Sequence, residues 1–271
     1  MLVTVDTGAT KTLVAEFGKD GKIGEVIKFP TPVSQEEYVT VLRTTLQKKY
    51  ADTPVEAVVI ALPGIIKDGI ALWCNNLGWT NFDAGSAFKD VLGKTPVLIE
   101  NDANLGGLGE ARSLDPTPVS ALYVTISTGI GTGVITNGRI DPGLRYSEGG
   151  RSLVEFEGEV REWESFASGK SIHKAYNQFG RDITSEKIWN QIADRISRGF
   201  LAIIPFIQPD VIILGGSMGT HFKKYHARLE EILKIHLPPH IPCPRIVEAK
   251  HPEEAVIYGC YYYALDYLSD K

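Results

Sequence analysis

The apolar positions of this chain recur in two rhythms. Short runs of mostly apolar residues, bounded by glycine and polar turns, predict strands at residues 2–6, 12–18 and 23–29, with Lys19-Asp20-Gly21-Lys22 as a hairpin turn. Ser34 followed three residues later by Glu37 is a capping box, and the spacing after it predicts an amphipathic helix to about Tyr50. A strand at 56–61 ends in Pro63-Gly64, a helix follows at about 83–92, and residues 96–99 return to strand before a helix at 104–113. Further helices are predicted at about 168–178, 184–206, 221–236 and 253–268, with strands at 210–216 and 245–249. Strands come first and alternate with helices later, which is the pattern of an α/β fold.

The rhythm also repeats. Residues 5–23 (VDTGATKTLVAEFGKDGKI) and 126–140 (ISTGIGTGVITNGRI) each read as strand, Thr-Gly turn, strand, polar glycine turn and Ile. Thr7-Gly8 corresponds to Thr128-Gly129, which suggests two similar domains. Residues 113–118 (SLDPTP) are the natural connection between them.

Composition narrows the function classes. The 271 residues suffice for one large or two modest domains. A net charge of −5 argues against nucleic acid as a partner, because a nucleic-acid reader needs a basic surface. No apolar stretch is long enough to span a membrane, so no membrane association is expected. The N-terminal residues lack the pattern of a secretory leader. Cys74, Cys243 and Cys260 lie far apart and form no CxxC pair, which fits free thiols in a cytoplasmic protein.

Three glycine-rich stretches could hold phosphate: DTGATKT (6–12), STGIGTG (127–133) and LGGSMG (214–219). Glycine lets backbone N–H groups approach an anion closely. None is GxxxxGK[ST], and none is GxGxxG before a helix, so neither a P-loop nor a Rossmann site is indicated. Each alone would pass for a tight hairpin; the three together point to a nucleotide. Asp6 suits Mg²⁺ bound with phosphate, or else caps a turn. The stretch LIENDANLGG (98–107) crowds Glu100, Asn101, Asp102 and Asn104 together, which a simple turn does not require.

DTGATKT, Pro63-Gly64, ENDAN (100–104) with Glu110, STGIGTG and LGGSMG stand in the order seen in the ROK family, and nearly the whole chain resembles it. That family belongs to the actin/hexokinase/Hsp70 superfamily of two-lobed ATP-binding proteins. The resemblance implies two ribonuclease-H-like lobes with ATP and sugar in the cleft between them. The N-terminal lobe would be residues 1–115, completed by a last helix at about 252–271, and the C-terminal lobe residues 116–251. The implied function is ATP-dependent transfer of the γ-phosphoryl group to a hydroxyl of a hexose such as glucose. Asp102 resembles the catalytic base. A positioned carboxylate can take the hydroxyl proton during transfer; the alternative is that Asp102 caps the following helix. Asp6, Gly8, Thr10, Lys11, Thr128, Gly129 and Gly131 would cradle phosphates, and Gly215 and Gly216 would border the adenosine. Asn76, Asn101, Glu148 and Glu164 would hold the sugar. ATP and Mg²⁺ are the implied cosubstrate and cofactor. Gly129→Val is expected to raise the KM for ATP and to change sugar affinity much less. A homodimer, the sugar, and ATP against polyphosphate stay open. The rival functions are a sugar- or nucleotide-responsive binding protein on the same fold and a related phosphotransferase with another substrate. ROK-type repressors carry a DNA-binding helix-turn-helix before the first glycine loop, for which the residues before Asp6 leave no room.

One segment departs from the family. Where ROK proteins carry a zinc-binding Glu-x-Gly-His element and a cysteine cluster, this chain has SEGGRSLVEFEGEVREWESFASG (147–169). Arg151 takes the histidine position, and Glu155, Glu157 and Glu162 take the cysteine positions. An arginine and three carboxylates make a poor zinc site, so none is predicted. Either an Arg151–glutamate network holds the segment, together with packing of Leu153, Val154, Phe156 and Trp163, or it is a solvated acidic loop.

Overall fold

The computed structural model describes residues 1–271, apart from the side chain of Asn75. The chain divides into two compact units, residues Met1–Gly109 with Val256–Lys271, and Glu110–Ala255.

The first unit begins with β1 (Leu2–Thr7), β2 (Lys11–Phe17) and β3 (Ile23–Pro30), an antiparallel meander. Helix α1 (Gln35–Tyr50) follows, and Ser34 caps it by accepting the Glu37 N–H. Then come β4 (Ala57–Leu62), β5 (Ile65–Lys67), β6 (Ile70–Cys74), β7 (Trp79–Asp83), α2 (Ala84–Phe88), β8 (Val97–Asn101) and α3 (Asp102–Arg112). Strands β4 and β8 join the meander in parallel to give the order β3-β2-β1-β4-β8. The β4 residues are buried throughout, as expected of a central strand covered on both faces.

The second unit contains β9 (Ser120–Ile126), β10 (Ile130–Thr136), β11 (Arg139–Ile140), β12 (Leu153–Phe156), β13 (Glu159–Glu162), α4 (Glu164–Ala167), α5 (Gly169–Tyr176) and α6 (Glu186–Ile207). It continues through β14 (Val211–Gly215), α7 (Gly216–Gly219), α8 (His226–His236) and β15 (Arg245–Glu248). Its sheet has the order β11-β10-β9-β14-β15, position for position that of the first. The repeat seen in the sequence is therefore a repeat of topology, and the β1–β2 and β9–β10 turns occupy equivalent places. Helix α9 (Ala255–Ser269) packs in the first unit, where Gly259 lets it meet α3 at the Leu105 carbonyl.

Several elements differ from the sequence reading. Helix α2 has five residues rather than ten: Asp83 caps its start, and beyond Phe88 the backbone closes isolated turns, the Val91 N–H donating to the Phe88 carbonyl and the Gly93 N–H to the Asp90 carbonyl. Strands β5–β7, which the apolar pattern does not predict, form a three-stranded antiparallel sheet. Helix α3 starts at Asp102 and not at 104, so the polar cluster straddles a strand end and a helix start. The last four residues of LGGSMG form only a single helical turn, α7, and the next long helix begins at His226 and not at 221.

Candidate active site

In the first unit, β8 and α3 bring ENDAN together by a set of local hydrogen bonds. Glu100 is 1% exposed, and its Oε1 accepts the Asn101 N–H at 2.8 Å and the Asn104 Nδ2–H at 3.0 Å. The Asn101 Oδ1 accepts the Asn104 N–H at 2.8 Å, so Asn101 caps α3. Its Nδ2 donates to the Gly64 carbonyl at 2.7 Å, tying the cluster to the Pro63-Gly64 turn. Gly64 has φ +90°, and a Cβ there would overlap the Trp73 carbonyl, so only glycine brings this turn against β6. Asp102 is half-buried, and its Oδ1 accepts the Ala103 N–H at 2.8 Å. The capping role is thus filled by Asn101. Asp102 lies close enough to Cys74 that its charge, together with burial as the larger cause, pushes the thiol up to about 12. Asn76 is exposed, in the short turn that follows β6.

The β1–β2 turn is closed by the Gly8 N–H, which donates to the Lys11 carbonyl at 3.0 Å. Thr31 braces it through its hydroxyl, which donates to the Gly8 carbonyl at 2.7 Å. Gly8 therefore shapes the loop, while Ala9, Thr10 and Lys11 are its exposed part. Asp6 sits half-buried at the end of β1. Burial raises its carboxyl to about 6, against the lowering effect of Lys11. A carboxylate at a strand end beside an exposed glycine turn is of the type that could hold a hydrated Mg²⁺. Among the described residues no group of three or more His, Cys, Asp or Glu is placed to hold a metal ion by itself.

In the second unit the remaining glycine loops converge. The Ser127 N–H donates to the Gly129 carbonyl at 2.9 Å, and the Ser127 hydroxyl accepts the Ser217 N–H at 2.9 Å. The Gly169 N–H donates to the Ser127 carbonyl at 2.7 Å. A Cβ at Gly216, which has φ +74°, would lie 2.7 Å from the Ile126 carbonyl and from the Ser127 and Thr125 hydroxyls; one at Gly215 would overlap Tyr123. Gly169 and Gly216 thus allow three chain segments to meet around Ser127, with Thr128 exposed beside them and Gly131 further along β10. Ser127, Gly169 and Ser217 were absent from the residues singled out in the sequence. Ser127 and Ser217 lie inside the quoted motifs, and only the fold shows that they join them.

Glu164 opens α4 and reaches this same loop. Its Oε2 accepts the Ile130 N–H at 2.7 Å, and a Cβ at Gly129 would overlap that oxygen. Arg151 pairs with Glu164 at 3.3 Å and with Glu162 at 2.5 Å. Burial raises the Glu148 carboxyl; Arg151 works against this and Glu164 adds to it. Glu148 also borders a cavity of about 240 Å³ between β9, β10 and α6, lined by Leu122, Val134, Leu144, Ile203 and Phe206. The acidic segment is not a solvated loop. It is the hairpin β12–β13, and its three glutamates face arginines: Glu155 with Arg198 at 4.0 Å, Glu157 with Arg161 at 3.1 Å, Glu162 with Arg151. Val154, Phe156 and Trp163 are buried as expected, whereas Leu153 is 69% exposed because β12 alternates in and out.

The ROK family model matches residues 2–266. The chain is 29% identical to the N-acetylmannosamine kinase of Escherichia coli over 80% of its own length and 83% of the relative's. It is 27% identical to a putative fructokinase of Bacillus subtilis, covering 80% of this chain and 77% of that one. A ROK family glucokinase from Streptomyces griseus, solved in complex with glucose and AMPPNP, superposes with a TM-score of 0.81 at 20% identity, covering 98% of this chain and 99% of that one. That likeness gives the fold, which is the actin-like ATPase fold. With its two like-ordered sheets and its glycine loops in family order, the chain belongs to the ROK family.

Proposed function

We propose that the chain is an ATP-dependent sugar kinase, a phosphotransferase that moves the γ-phosphoryl group of ATP to a hydroxyl of a hexose such as glucose. The observation that carries this reading is the way Glu100, Asn101 and Asn104 hold one another and fix the backbone that bears Asp102. A base positioned by three hydrogen-bonded neighbours is preorganised for one proton transfer. In this reading Asp102 accepts the sugar hydroxyl proton as the oxygen attacks phosphorus. Asn101, which keeps one N–H and one lone pair beyond its bonds to Gly64 and Asn104, and Asn76, Glu148 and Glu164 hold the other hydroxyls. Thr10, Lys11, Thr128, Gly129 and Gly131 face phosphate, Gly8 shapes the first loop, and Gly215 and Gly216 border the adenosine. Asp6 holds Mg²⁺, which neutralises phosphate charge when bound.

The test is a coupled phosphorylation screen over glucose, fructose, mannose and N-acetylmannosamine, with ATP-Mg²⁺ or polyphosphate as donor. Wild type is expected to turn over at least one sugar with ATP. Asp102→Asn keeps the shape and removes the proton acceptor, so turnover should fall by about 10²–10⁴ while nucleotide binding persists. A variant with near-wild-type kcat on the best sugar would sink the assignment of Asp102. A wild type that binds sugars but phosphorylates none would favour the binding-protein reading.

A further inference from the structure

Arg151 ends the short turn Gly149–Arg151 that leads into β12, and its two terminal nitrogens go to different carboxylates. One reaches the Glu162 Oε2 at 2.5 Å, and the other reaches the Glu164 Oε1 at 3.3 Å. The other oxygen of Glu164 accepts the Ile130 N–H at 2.7 Å, directly after Gly129. Three elements are therefore joined through Arg151 and Glu164 in series: the end of β13, the turn before β12, and the start of β10. The scaffold under them is stiff. Trp163, between Glu162 and Glu164, is fully buried against Gly199, where a Cβ would overlap the indole ring, and stacks edge-on with Phe200 at 5.2 Å. Phe156 and Phe166 stack at 4.3 Å, and the Arg195 and Arg161 guanidinium groups lie 4.9 and 5.3 Å from the Phe156 ring centre.

We infer that Arg151 is a positioning residue: by bridging Glu162 and Glu164 it fixes the Glu164 carboxylate on the Ile130 N–H. A planar guanidinium can hold two carboxylates at once in set directions, which an ammonium cannot do. The pairs are partly exposed, with side-chain exposures of 28% for Arg151, 43% for Glu162 and 23% for Glu164, so they contribute little to global stability. Their effect is on direction. Without Arg151, Glu164 faces Glu148 with no cation between them and is free to leave the Ile130 N–H. The consequence for catalysis rests on the proposed function, in which Glu164 holds the sugar. A displaced Glu164 then weakens sugar binding and also loosens the loop assigned to phosphate.

The test has two independent readouts on Arg151→Met, Arg151→Lys and Glu162→Gln. The first is amide hydrogen exchange at Ile130 in the intact protein, which needs no activity. Protection is expected to fall in Arg151→Met, to fall less in Glu162→Gln, and to be only partly restored in Arg151→Lys. Ile130 protection unchanged in Arg151→Met, with an unchanged melting temperature, overturns the inference. Should Arg151→Met fail to fold, wild-type protection in both milder variants overturns it equally. The second readout is steady-state kinetics. Sugar KM is expected to rise roughly tenfold in Arg151→Met, with kcat within about threefold, because the base is untouched and only a binding group has moved. Lost Ile130 protection with unchanged sugar KM leaves the positioning role standing and removes Glu164 from the sugar site. If no sugar is phosphorylated even by wild type, the proposed function fails while the exchange experiment still decides the inference.

Discussion

Two residues in the second unit show how one position can serve packing and chemistry with opposing demands. Glu148 is a largely desolvated carboxylate whose ionisation is disfavoured first by burial and then by Glu164, with Arg151 the opposing influence. A carboxyl raised in the folded state binds more protons than in the unfolded chain just above its ordinary value of 4.5. Its contribution to stability is therefore lost as pH rises through that window, and at neutral pH the charge is a net cost. Glu148→Gln should raise the melting temperature at pH 7 and leave it unchanged at pH 4, while raising sugar KM if Glu148 holds a hydroxyl. Calorimetry at the two pH values checks the first half; an equal or lower melting temperature at pH 7 refutes it. Gly129 is the second case. The glycine-rich stretch STGIGTG suggests that Gly129 serves the close approach of phosphate, with little effect on sugar. Gly129 is not among the residues with positive φ, and the space a Cβ would need is filled by the Glu164 carboxylate. Gly129→Ala should thus disturb Glu164 directly and raise sugar KM along with the KM for ATP. A variant with altered ATP kinetics and wild-type sugar kinetics would restore the earlier explanation.

At the scale of elements, α3 links the candidate base to the body of the protein. Its first residue is Asp102, and its Leu105 carbonyl meets α9 at Gly259. Near its end, buried Glu110 accepts the N–H groups of Lys250 and His251 at 2.6 and 2.7 Å. A methyl at Gly259 would overlap the Leu105 carbonyl, and two backbones cannot yield as a flexible side chain can. Gly259→Ala should destabilise by about 1–3 kcal/mol or more, the usual range for overpacking, and lower kcat by shifting Asp102. Urea unfolding with a wild-type midpoint would disprove the close contact. The sequence makes α3 legible because its apolar positions recur with helical spacing, but it gives no sign of what α9 packs against. Strands β5–β7 were missed for a different reason. They are three to five residues long and carry Trp, Cys and charged residues in no clean alternation. The one available signal was Asp68-Gly69, both at positive φ, which marks a hairpin as plainly as Lys19-Asp20-Gly21-Lys22 does.

For the whole molecule, the fold class and its duplication were readable because turn chemistry and strand length are local properties. Thr-Gly turns at 7–8 and 128–129 announce two meanders, and the two sheets have the same strand order. What was not readable is long-range pairing: an Arg151–glutamate network is one of two readings of the acidic segment, but nothing in the sequence points to partners for Glu155 and Glu157 on α6. Carboxylates carry no periodic signal that names their partners, and Arg195 and Arg198 lie on α6, far along the chain. The structure supplies those partners: every one of Glu155, Glu157 and Glu162 faces a guanidinium, and the hairpin's Phe156 and its neighbours Trp163 and Phe166 enter the core of the second unit. A segment anchored by aromatic packing and oriented by ion pairs can hold its place without a metal, and carboxylates paired with arginines are poor ligands for zinc, which favours thiolate and imidazole. The purified protein should therefore contain no stoichiometric zinc, and a strong chelator should leave its melting temperature unchanged. Because these pairs are partly exposed, raising the salt concentration should lower the melting temperature only slightly. A metal-held fold behaves in the opposite way: metal binding is coupled to folding, and chelation unfolds the segment at any salt. Elemental analysis showing one zinc per chain, or a melting temperature that collapses with chelator, would overturn the arginine–glutamate account of β12–β13 and with it the placement of Arg151 beside Glu164.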